Sequence, residues 1–257
     1  MKKALVWLLW QINIWGSILS AKLVQWTGKS RYPIHPKHFL GTQWQQWYLP
    51  RIEPTDVVLD AGCGNAMHAI ACAVRCREVH GFDYNSKQLE IGRARARQEG
   101  VSNIHLTEGN VEEHWDFADG YFDKILFLDV LEHLHQRDFA LQEARRVLKP
   151  GGWLLLSVPQ RDTSWKKLRG SVELFAYADL DHKVEYTREE IEQVLARNGF
   201  ICETVEPIVY DTWWAGLIDL VGGFSLGLYR RLAQWKRTMA LQKPAESTGF
   251  RIVARKR

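Results

Sequence analysis

The sequence has 257 residues, of which 46% are hydrophobic and 25% charged, and this composition excludes a disordered chain and a low-complexity protein. The net charge is +4, but residues 230–257 hold nine basic residues and one acidic residue, a local charge of +8. Such a segment suits an anionic surface, either lipid headgroups or nucleic acid, and a solvated tail is the alternative. The four cysteines form no CxxC pair and no metal spacing with histidine, which favours reduced thiols in a cytosolic protein and predicts no metal site.

The N-terminal segment is apolar. Residues 4–21 contain no charge and are close to the shortest helix that spans a bilayer. Asn13, Ser17 and Ser20 form one narrow polar stripe on this helix. Three interpretations are open. The segment could be a signal peptide, or a membrane span that keeps the body of the protein cytoplasmic. The third and favoured interpretation is a helix that lies in the membrane interface or covers an apolar pocket. Nine of the twelve tryptophans lie outside residues 49–208, which suits a membrane interface but also core packing.

From Thr55 onward, strand and helix patterns alternate. The alternation predicts an α/β, doubly wound, seven-stranded and mostly parallel sheet with helices on both faces. Thr187 and Glu190 form a capping box at the start of one helix. The predicted strands are DVVLDA, EVHGFD, NIHLTEG, FDKILFLD, WLLLSVP, FICETVEPI and GFRIVARK, and the predicted helices cover residues 65–75, 86–98, 136–148 and 188–198.

A long apolar insert joins the last two strands. Residues 212–229 carry a single charge, Asp219, and two arginines follow at once. Connections between strands are normally much shorter, so this segment is expected to have a role of its own. The predicted domains are an apolar, Trp-rich helical segment at 1–48, acting as a lid or membrane contact, and a catalytic domain at 49–257 with insertions at about 160–186 and 209–247.

A glycine turn follows the first predicted strand. Asp60 ends this strand, and Gly62 and Gly64 allow the backbone to approach a ligand closely. A nicotinamide dinucleotide site would have a third glycine at position 67, where the sequence has Met67. Asp60 would also repel a pyrophosphate, whereas it would attract a cation directly or through water. The turn therefore predicts a ligand with positive charge, such as an ammonium or a sulfonium group.

Two further strand ends complete the predicted ligand. Asp83 ends the second strand and can accept hydrogen bonds from both hydroxyls of a ribose. Asn110 follows the third strand and can bind an adenine edge. An ammonium group, a ribose and an adenine together describe S-adenosyl-L-methionine.

Five segments between residues 55 and 208 also match a known pattern in order and spacing. They are VVLDAGCGNA, VHGFDYNSKQLEIGRARA, GNVEEHWDFADGYFDKILFLDVLEHL, EARRVLKPGGWLLLSVP and YTREEIEQVLARNGF. On these segments the sequence resembles the class I S-adenosylmethionine-dependent methyltransferases, particularly the small-molecule and quinone-biosynthesis type. The resemblance implies a Rossmann-like methyltransferase fold, an enzyme, and S-adenosyl-L-methionine as the cofactor. It also implies that the N-terminal helix and the late insert belong near the substrate end of the fold.

The resemblance assigns cofactor contacts to the strand ends. Ala66 stands where the family often has glycine, a small-for-small change that should be tolerated, and Asn110 replaces a frequent aspartate but keeps a weaker adenine contact. Gly151, Gly152 and Asp123 are expected to be structural. The predicted cofactor-binding residues, including neighbours of the motif positions, are Asp60, Gly62, Cys63, Gly64, Asn65, Asp83, Tyr84, Asn110, Val111, Leu128, Asp129 and Val130.

His133 is the predicted catalytic residue. It follows the fourth strand, where the resemblance places the transferred methyl group, and it would act as a general base for an acceptor hydroxyl. A lone histidine is more often structural, and positioning alone supplies much of a methyl transfer. His182 is a weaker candidate for the same role.

The favoured function is a methyltransferase for a lipid or lipid-linked acceptor, cytoplasmic and peripheral on the inner face of an anionic membrane. The alternatives are a methyltransferase for a small soluble acceptor, with the apolar segments as a lid or dimer interface, and a non-catalytic membrane or partner-binding protein of the same fold. A dinucleotide oxidoreductase and an RNA methyltransferase fit less well, so a nucleic-acid partner is not expected. The sequence does not define the oligomeric state.

Overall fold

A computed structural model describes the backbone of residues 1–257 and every side chain except those of residues 42 and 43. The strands are β1 (Val57–Ala61), β2 (Glu78–Asp83), β3 (Ile104–Glu108), β4 (Phe122–Leu128), β5 (Leu148–Pro159), β6 (Phe200–Pro207) and β7 (Gly249–Lys256). The α-helices are α1 (Lys2–Trp26), α2 (Thr42–Gln45), α3 (Met67–Ala73), α4 (Ser86–Gln98), α5 (Arg137–Val147), α6 (Ser164–Gly170), α7 (Arg188–Arg197), α8 (Ala215–Phe224) and α9 (Leu226–Gln242). Short 3-10 helices cover Pro36–Phe39, Leu49–Arg51, Leu131–His133 and Pro244–Glu246.

The seven strands form one sheet in the order β3-β2-β1-β4-β5-β7-β6. Strand β1 lies between β2 and β4 and is parallel to both. Strand β3 continues the sheet beyond β2, and β5 continues it beyond β4, again in parallel. The predicted doubly wound, mostly parallel sheet is therefore confirmed. The strand order reverses between β1 and β4, where such sheets bind their ligands.

Adjacent residues on a strand point to opposite faces of the sheet, and both faces are covered. On one face, Val58 of β1 packs in a core layer with α3 and α4. On the other face, Leu59 packs in a second layer with α5 and α7. All five residues of β1 are buried, which explains its continuous apolar sequence.

Local sequence signals fix most element ends. The predicted capping box is present: the Thr187 side chain accepts from the Glu190 N–H, and the Glu190 carboxylate accepts from the Thr187 N–H. Strand β5 is the main difference, because it begins at Leu148, five residues before the predicted start. Leu148 pairs with Phe122, and an irregular register between Phe122 and Lys124 accommodates the glycine pair at 151–152 within the strand.

The chain forms two compact units. The sheet unit comprises Gln46–Pro159, Asp181–Val205 and Phe250–Arg257, and the helical unit comprises Met1–Gln45, Gln160–Leu180 and Glu206–Gly249. The helical unit thus contains the N-terminal segment and most of both predicted insertions. The predicted domain division at residue 48 stays a prediction, because compactness does not show which segments fold independently.

Within the helical unit, α1 and α8 approach closely through glycine. A Cβ atom at Gly16 would lie 2.6 Å from the carbonyl oxygen of Gly216, and a Cβ atom at Gly223 would lie 2.5 Å from the Cβ of Leu23. Asn13 joins the same interface, since its Nδ2 donates to the Trp213 carbonyl at 2.5 Å and its Oδ1 accepts from the Gly216 N–H at 2.8 Å. Small residues with interhelical polar contacts are typical of helix packing in membranes.

The outer surface of α1 is apolar. The helix is 25 residues long, and only Val6, Gly16, Ser20 and Val24 are buried. By length and composition it could cross a bilayer, which is weak evidence alone because core helices and signal sequences also meet this criterion. The exposed large apolar residues of α1 are Leu5, Trp7, Leu8, Ile14, Trp15, Ile18, Leu19 and Trp26.

Candidate functional site

A cavity of about 470 Å³ opens at the carboxyl ends of the central strands. Gly62 follows β1, Asp83 ends β2, Asn110 follows β3 and Asp129 follows β4, so four parallel strands contribute one residue each. The cavity thus lies at the predicted ligand-binding edge of the sheet. Its lining residues are Gly62, Asp83, Tyr84, Gly109, Asn110, Val111, Glu112, Asp129, Val130, His133, Leu134 and Asp181.

The glycine turn requires its glycines for two different reasons. Gly62 has φ +73°, and a Cβ atom there would lie 2.8 Å from Cγ2 of Val130. Gly64 has φ +51° but no atom within 4 Å of such a Cβ, so only its backbone conformation favours glycine. The N–H groups of Gly62 and Cys63 both donate to the Phe82 carbonyl and hold the turn against β2.

Ala66 shows why a glycine is frequent at its position. Its φ is +59°, in the left-handed region that costs a residue with a side chain roughly 1–2 kcal/mol. The methyl group itself is fully buried. The alanine side chain therefore fits at this position, but its backbone conformation is strained.

Asp60 is buried behind the turn, and its Oδ2 has no hydrogen-bond partner among the described side chains and backbone groups. Burial raises the pKa of this carboxyl to about 7. A backbone hydrogen bond from Ala69 lowers the pKa, and the nearby charge of Asp83 raises it further. A buried acceptor without a partner is costly, and a cationic group or a water molecule attached to one would satisfy it. This arrangement fits the ammonium group of S-adenosyl-L-methionine.

Asp83 is held in a fixed orientation at the end of β2. Its Oδ2 accepts from the Gly64 N–H at 2.8 Å, and its Oδ1 accepts from the Asn85 N–H at 2.8 Å. Each carboxylate oxygen has a second lone pair, so both can still accept a ribose hydroxyl. Asp83 therefore links the glycine turn to the predicted ribose position.

The loop after β3 is organised by its own side chains. Asn110 accepts from the Glu112 N–H at 3.0 Å and donates to Glu113 at 3.1 Å, which leaves one amide hydrogen for a ligand. Glu112 accepts from the N–H groups of His135 and Gln136 at 2.6 Å each. Glu112 thus ties this loop to the segment after β4, a link the sequence did not reveal because the partners are 23 residues or more apart.

His133 lines the cavity next to a second histidine. The His133 ring lies 4.8 Å from the His182 ring, and its Nδ1 is 3.4 Å from a carboxylate oxygen of Asp181. His182 Nδ1 is 2.9 Å from the carboxylate of the fully buried Glu185. The i, i+3 spacing of His182 and Glu185 was the one sequence signal for this group. Ligand atoms of Glu132, His133 and His182 also lie within 4.8 Å of one another, so these residues could hold a metal ion.

Five of the predicted cofactor-binding residues are absent from the cavity lining formed by the described residues. They are Asp60, Cys63, Gly64, Asn65 and Leu128. Cys63 packs toward Gly81, where a Cβ atom would be 3.1 Å from its sulfur, and burial raises its thiol pKa. Leu128 packs against the core. The assignment of all twelve residues to cofactor binding stays a prediction.

Asp123 has the structural role expected for it, accepting from the Val57 N–H at 2.9 Å and from Lys149 at 2.7 Å. One polar pair was missed in the sequence: Tyr48 Oη lies 2.7 Å from Nδ1 of His68 on α3. Burial lowers the pKa of His68, which favours a neutral ring beside Tyr48. The two residues are 20 positions apart and share no motif.

Known proteins match the same part of the chain. Residues 59–156 match the family described as "Methyltransferase domain". A ubiquinone biosynthesis O-methyltransferase from Paracidovorax citrulli is 32% identical over 105 residues, which are 41% of this chain and 44% of that protein. The protein of the same name from Acinetobacter baumannii (strain ACICU) is 33% identical over the same shares. The match thus spans less than half the length of these relatives.

Solved structures extend the likeness in fold. An S-adenosylmethionine-dependent methyltransferase from Mesorhizobium loti has a TM-score of 0.59 at 15% identity, covering 84% of this chain and 98% of that one. One from Methanosarcina mazei has a TM-score of 0.56 at 20% identity, covering 79% and 93%. These identities show the fold alone, whereas the family match identifies the domain. Residues 59–156 therefore match the methyltransferase-domain family, and together with the seven-stranded sheet this match supports the predicted class I methyltransferase with S-adenosyl-L-methionine as its cofactor.

Proposed function

We propose that the protein transfers a methyl group from S-adenosyl-L-methionine to a hydroxyl group of a lipid or lipid-linked acceptor at a membrane surface. The observation that carries the membrane part is the orientation of α1. The polar side chain of Asn13 accepts a hydrogen bond from the Gly216 N–H of α8, whereas Trp7, Trp15 and Trp26 are exposed. A helix on the surface of a soluble protein has the opposite arrangement, with its polar face in water.

Oxygen is the proposed acceptor atom because the matched relatives are named O-methyltransferases. When bound, S-adenosyl-L-methionine supplies the methyl group from its sulfonium. The chain's own residues then have to orient two reactants in line and remove one proton. Asp83 and the glycine turn orient the cofactor in this proposal, and His133 faces the cavity as the base.

Asp181 sets the role of His133. With the Nδ1 proton directed toward the Asp181 carboxylate, Nε2 is the basic nitrogen that accepts the hydroxyl proton. The proton on His133 then passes to solvent, and the ring is neutral again.

The charges that would meet an anionic membrane belong to the helical unit. Part of the basic C-terminal segment is used within the sheet unit, where Arg255 pairs with Glu203 at 2.8 Å and Lys256 donates to the Leu148 carbonyl. Residues 249–256 form strand β7, as the sequence predicted, so the basic residues of this strand belong to the sheet. Exposed basic residues of the helical unit remain for this role: Lys2, Lys3, Lys22, Arg31, Lys37, Lys167, Arg230, Arg231 and Lys243.

Co-sedimentation with liposomes tests the membrane part. We expect the full chain to pellet with anionic vesicles, less with neutral ones, and less again at high salt, because apolar insertion and basic attraction act together. Trp15→Ser combined with Trp26→Ser should reduce pelleting. The matched control is Val74→Ser, which removes an exposed apolar side chain from the sheet unit. A full chain that stays in the supernatant with anionic vesicles at low salt contradicts the proposal.

Acceptor length tests the substrate class. A phenol that carries a long isoprenoid chain and the same phenol without that chain should be compared at equal S-adenosyl-L-methionine concentration. We expect a higher kcat/KM for the lipid-linked compound, and a larger difference when vesicles are present. Equal kcat/KM values for both compounds would instead support the alternative of a small soluble acceptor, for which the apolar helices serve as a lid or subunit interface.

A further inference from the structure

Two histidines and a glutamate meet on one face of the sheet, at the amino ends of β2 and β3. His80 on β2 and His105 on β3 are directly paired in the register of these parallel strands. Glu78 lies two residues before His80 and therefore points to the same face. The residues belong to the opposite end of these strands from the cofactor cavity, so the mechanism above does not use them.

The distances among the three side chains match those of metal ligands. Nε2 of His80 is 3.0 Å from Glu78 Oε1, and Nε2 of His105 is 3.1 Å from the same oxygen. All three ligand atoms lie within 4.8 Å of one another. Zinc binds nitrogen and oxygen at about 2.0–2.2 Å in a tetrahedral arrangement, which places neighbouring ligand atoms roughly 3.3–3.6 Å apart. Small side-chain rotations would thus admit an ion between the three atoms.

The ring of His80 is held in place by aromatic neighbours. It stacks on His105 with 4.9 Å between ring centroids, and the rings of Phe117, Tyr121 and Phe122 lie edge-on to it at 5.5–5.6 Å. The side chain of His105 is 53% exposed, which gives an ion and its water ligands access from solvent. One fixed and one accessible ligand together make a site that is both ordered and open.

A metal ion would bind the two imidazoles through the ring-nitrogen lone pairs that face Glu78. The alternative is that each imidazole only donates an N–H to Glu78. Both arrangements give the Glu78 carboxylate a partner, so only a measurement of metal binding can distinguish them.

We propose that Glu78, His80 and His105 bind one divalent transition-metal ion, with zinc as the probe and water completing the coordination. Imidazole nitrogens favour zinc and its neighbours in the first row over magnesium or calcium, which prefer oxygen. The ion would join β2 to β3 at their amino ends. Glu78 and Asp83 are five residues apart along β2, or roughly 16 Å, so the ion would stabilise the sheet without touching the cofactor.

Zinc titration of the chelator-treated full chain tests this site. We expect calorimetric binding at pH 7 and a Tm increase of roughly 5–10 °C at zinc concentrations 100-fold above Kd. Cobalt in place of zinc should give a visible absorption spectrum of a site with nitrogen ligands. His105→Gln should weaken zinc binding at least about 100-fold, because loss of a ligand exceeds the 10–100-fold effect of losing a group that orients one. The control is His114→Gln, an exposed histidine of the same unit outside the cluster.

Two further variants keep the outcome clear. Glu78→Gln retains an oxygen that accepts both imidazole N–H groups, so it should leave the metal-free Tm nearly unchanged while it weakens zinc binding. His182→Gln reports on the separate group at the cofactor cavity. The proposal is overturned if zinc binds His105→Gln as tightly as the parent, or if only His182→Gln loses the ion. Because none of these measurements requires methyl transfer, their failure would leave the proposed function untouched.

Discussion

Strand β1 of the sheet unit and helix α1 of the helical unit differ in which of their residues are buried. In the sheet unit, every residue of β1 is buried, and large side chains such as Phe127 and Phe122 have no exposed surface. In the helical unit, α1 is also largely apolar, yet two of its four buried residues are glycine and serine. The sheet unit buries large side chains and leaves polar groups at its strand ends, whereas α1 buries two valines and two small residues and leaves Trp7, Trp15 and Trp26 exposed. On α1, apolar character alone does not decide burial, because Gly16 and Ser20 are buried against another helix while these tryptophans are not.

The largest expected effect concerns the glycine turn of the sheet unit. Gly62→Val should abolish detectable cofactor binding, because the new side chain meets Val130 at the cavity wall and the backbone has φ +73°. Binding is measured by titration calorimetry with S-adenosyl-L-methionine. The matched control is Gly100→Val, which has a similar φ of +68° but open space around it and lies outside the cavity lining. If both variants lose binding equally, backbone strain rather than the cavity wall is responsible.

The pH dependence of stability should expose the buried acid behind that turn. The pKa of Asp60 is about 7 in the folded protein and near 3.8 when unfolded. Between these values the folded state binds more protons than the unfolded state, so the free energy of unfolding should fall as pH rises from 4 to 7 and level off above it. The difference corresponds to roughly 4 kcal/mol. Asp60→Asn should remove this slope in urea unfolding measured at several pH values.

The exposed acid Asp116 supplies the control, since Asp116→Asn should keep the slope of the parent. Saturating S-adenosyl-L-methionine should flatten the slope in the parent, because an ammonium group near the ionised carboxylate lowers its pKa. A slope that persists in Asp60→Asn would assign it to another group. A slope that the cofactor leaves unchanged would separate Asp60 from the cofactor's charge.

The sequence predicted those features that depend on neighbouring residues. Strand β2 and helix α4 have the predicted ends, the capping box at Thr187 is present, and the glycine turn follows β1. These signals are local, because caps, turns and alternating burial act over a few residues. The start of β5 was missed. The sequence Pro-Gly-Gly normally favours a turn, but here the pairing of Leu148 with Phe122 makes it part of the strand. The contact of His182 with His133 and the contacts of Glu112 were also missed because they join segments far apart in the chain.

The helical unit should respond to a substitution at its glycine contact. Gly16→Leu places a side chain where a Cβ is already 2.6 Å from the Gly216 carbonyl oxygen, so α1 and α8 must separate. Overpacking of this kind costs typically 1–3 kcal/mol. We expect faster hydrogen exchange in both helices and weaker pelleting with anionic vesicles, with unchanged affinity for S-adenosyl-L-methionine. Gly227→Ala on α9 has open space and should show none of these losses.

The smallest expected effect distinguishes the two reasons for a small residue. Gly16 is small because another helix is close, whereas Ala66 stands at a position where conformation, not space, favours glycine. Ala66→Gly should relieve about 1–2 kcal/mol of left-handed strain. It also removes a buried methyl group worth about 0.8 kcal/mol and adds backbone entropy to the unfolded chain worth about 0.5–1 kcal/mol. These contributions nearly cancel, so the free energy of unfolding measured in urea should change by less than about 1 kcal/mol. A loss above 2 kcal/mol would mean that the packing of the Ala66 methyl against the turn, rather than its backbone angle, dominates at this position.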